Sequence, residues 1–431
     1  MEKMNGIIWV WLRSGFNLFT KYNTMKKQIL GISMVFAVLI GCQSVNQKET
    51  LVPLDIDEQI KYATVQATKT LQLVPGDSLL PRNVENGDNS WNFVPKEDWT
   101  SGFWPGTLWY LYEYTGNEKW KDEANKFTGY LKPMAYTPAD NHDLGFMIYN
   151  SFGNGFRLTG DPEYKKVLLS AADTLSTLYN PKVGTILSWP AMVEKMNWPH
   201  NTIIDNMLNL ELLFWASKNG GSDSLYDMAN SHAEKTMENQ FRPDFTVYHV
   251  VVYDSITGER IKRVTHQGYS DESLWARGQA WAIYGFTMTY RETRDERYLD
   301  FVQKVADVYL ERLPEDLIPY WDFDAPNIPN EPRDASAAAI TASALLELST
   351  YVKEKEKAME YRNLATRMLE TLSTDAYQSR SKNSAFLLHS TGHMPNKSEV
   401  DASINYADYY YLEALVRLKN LREKNSLTGL R

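Results

Sequence analysis

The sequence predicts an all-helical protein folded as a closed ring of about six helical hairpins. Three observations predict it. Apolar residues recur at helical spacing along almost the whole chain after residue 55, and alternating, strand-like runs are few. A second pattern repeats on top of the first: a helix of small and aromatic residues, a turn with Gly or charges, then an aromatic residue opening an amphipathic helix. The intervals between these repeats are irregular and longer than the roughly 34 residues of a tetratricopeptide solenoid, which favours closure of the ring over an open superhelix.

In chain order, the opening helix is expected at Asp57 to Leu73. The hairpin turns then read Thr115-Gly116-Asn117-Glu118-Lys119-Trp120, Thr159-Gly160-Asp161-Pro162-Glu163-Tyr164, Asn219 to Tyr226, Thr293-Arg294-Asp295-Glu296-Arg297-Tyr298 and Lys353 to Tyr361. The helix before each turn is poor in charge, as in Arg277 to Tyr290 and Ala335 to Leu348, which suits an inner position. The helix after it is more charged, as in Tyr298 to Leu310 and Tyr361 to Leu372, which suits an outer one. A last helix is expected at Tyr406 to Leu421. The surplus residues fall between an outer helix and the next inner one: Val74 to Glu97, Asn180 to Asn201, Arg242 to Glu272, Leu313 to Arg333 and Asp375 to Ile404. Long connections on one rim are the usual place for a site.

Composition fits a large folded core, with 43% apolar and 13% aromatic residues in 431. The net charge of −9 and the absence of a long Lys/Arg run exclude a phosphate-neutralising face, so nucleic acid is not an expected partner. The thirteen Trp and twenty-six Tyr suit stacking on sugar rings as well as core packing. At the N-terminus, Met25-Lys26-Lys27 is a basic start, Ile29 to Ile40 is apolar, and Leu39-Ile40-Gly41-Cys42 resembles the bacterial lipoprotein cleavage box. The apolar run is shorter than the roughly 20 residues that span a bilayer. Residues 1–42 therefore read as a signal segment with its true start at Met25 and Cys42 as the lipidated residue. Residues 43–55 read as a linker, and 56–425 as the helical, catalytic domain. The expected location is the bacterial cell envelope, lipid-anchored and facing the periplasm. Cys42 is the sole cysteine, so disulfides play no part in stability.

The rim segments carry the polar and aromatic residues that could do chemistry. Asp143 and Asp205 each stand just before an inner helix, followed by apolar sequence and accompanied by Trp, His and Arg. A single aspartate in that position caps a helix; two on successive inner helices point to an acid/base pair. His142, His249 and His266 lack metal-ligand spacing, so no metal is expected. Arg277 has the planar fork that fits a carboxylate, and two readings stand equally: it holds an anionic ligand, or it pairs with a nearby acid such as Asp271. No Gly-x-Ser-x-Gly elbow, phosphate loop or dinucleotide fingerprint occurs.

Five segments, in order, resemble glycoside hydrolase family 88, the unsaturated glucuronyl hydrolases. They are Trp99-Thr100-Ser101-Gly102-Phe103-Trp104-Pro105-Gly106, His142-Asp143-Leu144-Gly145-Phe146, Ile203-Ile204-Asp205-Asn206-Met207, His266-Gln267-Gly268-Tyr269-Ser270-Asp271 and Trp275-Ala276-Arg277-Gly278-Gln279-Ala280-Trp281. The resemblance implies an (α/α)6 barrel that needs no cofactor. It implies hydration of the C4=C5 double bond of a terminal 4-deoxy-4,5-unsaturated glucuronic acid on lyase-generated, glycosaminoglycan-type oligosaccharides. Asp205 would be the general acid/base and Asp143 its partner. His142, His249, His266 and Gln267 would lie around the sugar ring, Arg277 would help hold it, and Trp99, Trp281 and Trp189 would be aromatic walls.

Family members acting on sulfated fragments carry a serine- and lysine-containing loop near the C-terminus; the stretch Ser390 to Lys397 departs from that pattern. Three alternatives remain at this point. One is an unsaturated rhamnogalacturonyl hydrolase acting on pectin fragments, one a polysaccharide lyase on the same toroid using Tyr269 with His266, and one a noncatalytic sugar-binding lipoprotein. Oligomeric state is not legible in the sequence.

Overall fold

The computed structural model describes residues 54–424 apart from residue 77. The expected signal segment, Cys42 and all but the end of the linker lie outside the described residues. The order begins with α1 (Ile56–Leu73), β1 (Leu80–Val84), β2 (Asn92–Val94), α2 (Phe103–Thr115) and α3 (Glu118–Leu131). Helix α4 (Leu144–Ile148) continues through a π turn, Tyr149–Gly153, into α5 (Asn154–Thr159), and α6 (Pro162–Ser176) returns. Next come β3 (Tyr179–Asn180), β4 (Thr185–Ile186), α7 (Ala191–Lys195), β5 (His200–Ile203), α8 (Asn206–Lys218) and α9 (Ser224–Asn239). After β6 (Val250–Tyr253) and β7 (Arg260–Val264) follow α10 (Ala276–Thr293), α11 (Glu296–Glu311), α12 (Ala335–Leu348), α13 (Lys355–Leu372), β8 (Ser403–Ile404) and α14 (Asn405–Lys424).

The hairpin turns explain why the helices stop and restart where they do. Gly116 sits at φ +64°, a left-handed conformation that ends α2 at no steric cost, and Asn117 then accepts a hydrogen bond from Lys119 N to start α3. Gly160 and Asp161 repeat the device between α5 and α6, and Arg294 and Asp295 repeat it between α10 and α11. Burial then separates the helices into two layers. Every residue of α12 is buried, and its run of alanines lets neighbours approach closely. Helix α11 buries only Tyr298, Leu299, Val302, Val305, Ala306 and Tyr309, one stripe of a two-faced helix. Burying such a stripe contributes on the order of 10 kcal/mol before the entropy of ordering the helix is subtracted.

The inner set, α2, α4 with α5, α8, α10, α12 and α14, closes on itself: each packs on the next and α14 packs back on α2. Helix α1 pairs with α14, so the first and last described helices complete the sixth hairpin. The ring expected from the sequence is therefore present. Below its mouth, charges of alternating sign come from successive inner helices. Glu113 pairs with Arg157 (2.6 Å), Glu211 with Arg291, and Glu347 with both Arg291 and Arg417 (2.9 Å each). These buried and partly buried pairs link successive inner helices through mutually neutralising charges.

The rim differs from the sequence reading. Among the described residues, the long connections carry eight short strands in three small antiparallel sheets, ordered β2-β1-β8, β3-β4 and β5-β6-β7. Strands of two to five residues are too short to show a period of two, and β1 finds β8 across the whole chain, with Asn83 opposite Ile404.

Candidate active site

The sheet β5-β6-β7 assembles one side of the site. Ile203 lies opposite Val250 and Val250 opposite Val264, so the residues just past each strand end meet: Asp205, His249 and His266 with Gln267. Ile204 N donates to His249 O at 3.0 Å, fixing the crossover. The His249 ring is buried, and its Nδ1 accepts from His266 N and Gln267 N, both at 3.1 Å. An imidazole that accepts at Nδ1 carries its proton on Nε2. Nε2 lies 3.7 Å from Asp205 Oδ2, so an N–H faces that carboxyl. Burial holds His249 well below the usual histidine range, and it is neutral.

Asp143 and Asp205 occupy the N-cap positions of α4 and α8, yet neither side chain accepts a capping hydrogen bond. Helices α3, α6, α11 and α12, whose caps do accept one, show the structural alternative. The two catalytic candidates are thus buried carboxyls that make no helix-capping bond. Burial raises Asp205 to about 7, against the opposing pull of the Arg277 charge, its own backbone amide and Trp281. Burial, then the charge of Asp205, raises Asp143 well above the usual carboxylate range. One acid is poised near neutrality and its neighbour is held protonated, an arrangement suited to proton transfer.

Both line one cavity of about 350 Å³, at the small end of small-molecule sites and large enough for a single sugar ring. Trp99, Trp189, His266, Gln267 and Arg277 also border it. Trp189 stands edge-on to His249 and His266 with ring centroids 5.8 and 5.3 Å away, and Trp99 packs on Tyr406 at 5.2 Å, giving two aromatic walls. Gln267 donates from Nε2 to Gly392 O at 3.1 Å.

Other expected residues take different roles or places. Trp281 is fully buried and is no cavity wall: it lies one helical turn past Arg277, roughly 6 Å deeper in the barrel. Its indole N–H, which has no hydrogen-bond partner, instead favours ionised Asp205 from behind. His142 and His249 are likewise behind the carboxyls rather than around the cavity. Arg277 resolves towards an ion pair, but with Asp334 at 2.7 Å instead of Asp271, and it also donates to Thr391 O (2.6 Å) and Gly392 O (2.5 Å). Asp271 accepts from Thr265 N. Tyr269 borders a separate depression with Arg242 and Asp324, so it does not join His266 as a lyase base. Among the described residues no three His, Cys, Asp or Glu side chains form a metal-ligand set.

The sequence reading missed Arg82, His393, Asn396, Ser398, Glu399 and Tyr406, all of which line the cavity. The β1-β8 pairing brings Arg82 to the C-terminal segment, where it bridges Asp98 (2.5 Å) and Glu399 (2.7 Å), while Gln267 and Arg277 hold Gly392 next to His393. Tyr406 was recoverable, because it lies in the first turn of an inner helix, at the same end that singled out Asp143 and Asp205.

Comparison with known proteins agrees with this geometry. The model of Glycosyl Hydrolase Family 88 matches residues 80–410. The chain belongs to glycoside hydrolase family 88. An unsaturated glucuronyl hydrolase of Formosa agariphila is 42% identical over 387 residues, 89% of this chain and 95% of that one. An unsaturated chondroitin disaccharide hydrolase of Streptococcus pneumoniae is 36% identical, over 77% of this chain and 84% of its own. The crystal structure of an unsaturated glucuronyl hydrolase specific for heparin superposes with a TM-score of 0.81 at 43% identity, covering 85% of this chain and 98% of that one. The activity of this family 88 chain is that of an unsaturated glucuronyl hydrolase, and its helical ring is the (α/α)6 barrel of the family.

Proposed function

We propose that the protein removes a terminal 4-deoxy-4,5-unsaturated glucuronic acid from lyase-generated glycosaminoglycan oligosaccharides, with Asp205 as general acid/base and Asp143 as its partner. The observation that carries this reading is the pair of buried N-terminal aspartates that cap nothing and border one blind cavity. Asp205 gives its proton to C4 of the vinyl ether, and positive charge develops over C5 and the ring oxygen, beside the carboxylate left behind. That carboxylate then takes a proton from the water that attacks C5. The resulting hemiketal opens to a ketone, the ring oxygen becomes a hydroxyl on C1, and the hemiacetal at C1 collapses, expelling the remaining sugar. Asp143 holds the sugar hydroxyls. Because bonds change at C4 and C5, the carboxylate separation that sorts retaining from inverting glycosidases does not apply.

The test follows the ultraviolet absorbance of the conjugated C4=C5 carboxylate on unsaturated disaccharides from heparin, chondroitin, hyaluronan and pectin digests. Loss of absorbance on the glycosaminoglycan products is expected. Loss on the pectin product alone would name a rhamnogalacturonyl enzyme, and a rise on intact polymer would name a lyase. Only protonated Asp205 can protonate C4, so with its ionisation near 7 the free enzyme's kcat/KM falls as pH rises through that value. A flat profile from pH 6 to pH 9 would remove Asp205 as the acid.

The substrates of two relatives, heparin and a chondroitin disaccharide, support the glycosaminoglycan class for this chain. The Leu-Ile-Gly-Cys sequence supports attachment to the cell envelope through Cys42. Cys42→Ser in the producing bacterium is expected to move the protein from the membrane to the soluble fraction; an unchanged membrane fraction would remove the anchor.

A further inference from the structure

Behind Asp143 stands a buried chain of groups that the reaction does not touch. Asn209, on α8 and fully buried, accepts from Phe146 N through Oδ1 at 2.7 Å. A backbone N–H can only donate, so the oxygen end of the amide is fixed there and the NH2 end is turned the other way. That end, Nδ2, lies 3.3 Å from His142 Nδ1. Nδ1 is therefore an acceptor, and the single proton of the imidazole sits on Nε2. His142 Nε2 makes no hydrogen bond of ordinary geometry and lies 3.5 Å from Asp143 Oδ1, and the Asn206 side chain is a second acceptor beside the ring. Burial pushes His142 down to about 3, so the ring is neutral and has one N–H to direct.

We infer that Asn209 is a positioning residue for the hydration reaction: it fixes the His142 tautomer so that an N–H faces Asp143 Oδ1 and the carboxyl proton is left on the other oxygen. The inference rests on the reading of Asp143 as the partner of Asp205. It goes beyond that reading by assigning a device that sets where Asp143 keeps its proton. The position is tightly built. A Cβ on Gly145 would meet Asn209 Oδ1 at 2.5 Å and its Cα at 2.6 Å, so the start of α4 is pressed directly on Asn209. Asn209 lies one turn after Asp205 on α8, and it thereby ties the helix bearing one aspartate to the histidine beside the other. The same logic holds on the other side, where two backbone amides on His249 Nδ1 leave its N–H towards Asp205. Each carboxyl is thus backed by a neutral imidazole of defined tautomer.

Asn209→Asp keeps an acceptor for Phe146 N and removes the donor to Nδ1, so it separates the seating of α4 from the tautomer of His142. The expected result is a fall in kcat of about 10- to 100-fold, typical of lost second-layer contacts, with KM little changed. Asn209→Ala, which adds no buried charge, carries the test if melting shows that the carboxylate unfolds the protein. In a His142→Ala background the substitution at 209 is expected to cost nothing more in kcat. Wild-type kcat in the folded variants, or a loss that persists in full without His142, would overturn the inference. Asp143→Asn in the same assay separates the two levels. If that variant keeps wild-type kcat, the role of Asp143 fails; if it loses activity while the Asn209 variants do not, only the role of Asn209 fails.

Discussion

Asp205→Asn is expected to give a folded protein whose kcat falls by about 10²- to 10⁴-fold, the contribution of a positioned acid/base, while disaccharide binding persists. The amide is the same size and fills the same buried space, but it cannot deliver a proton to C4. Stability moves the other way. The carboxyl titrates near 7 in the folded protein and near 3.8 when unfolded, so its contribution is fully present below about pH 4 and is lost as pH rises through 7. Well above pH 7 the buried carboxylate costs about 4 kcal/mol, and the neutral amide avoids that cost. The melting midpoint of Asp205→Asn should exceed that of the wild type at pH 8 and by a clearly smaller margin at pH 5, where only about 2 of those 4 kcal/mol have been lost. Retained turnover would remove Asp205 from the chemistry. Lost turnover with a lowered midpoint at both pH values would mean that the residue holds the fold.

How much of this was legible in the sequence depends on the range of each signal. Helix α12 runs over the residues expected for it, because apolar periodicity and the flanking N-cap Asp334 are local. The turns at Gly116, Gly160 and Arg294 were legible for the same reason, since a left-handed residue followed by an Asn or Asp cap is written in consecutive residues. The two aspartates were legible because each opens an inner helix at the same rim. What stayed hidden depends on distant partners. The pairing of β1 with β8 brings Arg82 to Glu399 across 317 positions, and nothing local in either segment announces the other. Trp281 was misplaced for a different reason. It shares a motif with Arg277, but a motif has no depth, and four residues along a helix carry a side chain out of the mouth and into the core.

Arg277 gives the second large effect. Nothing in a sequence tells a sugar-binding arginine from a buried structural one, and here the contacts decide. Its guanidinium and the Asp334 carboxylate are 2% and 0% exposed, and their separation is 2.7 Å. The other donors hold the carbonyls of Thr391 and Gly392, the segment that walls the cavity. Asp334 in turn caps α12 through Ser336 N and Ala337 N. Arg277→Met therefore leaves a buried carboxylate without its cation and two carbonyls without a donor, at a cost of about 3–5 kcal/mol. For a domain of this size that corresponds to a fall in melting midpoint of roughly 5 °C. Adding Asp334→Asn should recover part of the loss, because removing both charges leaves no ion buried alone, while the cap on α12 is kept by the amide oxygen. An arginine acting only on substrate would behave differently: its removal would raise KM and leave the midpoint unchanged, and Asp334→Asn would rescue nothing. Arg277 does border the cavity, so KM is expected to rise as well once the 391–392 segment loses its anchor. The melting curve therefore decides between the two roles, and recovery in the double variant identifies the lone carboxylate as the source of the instability.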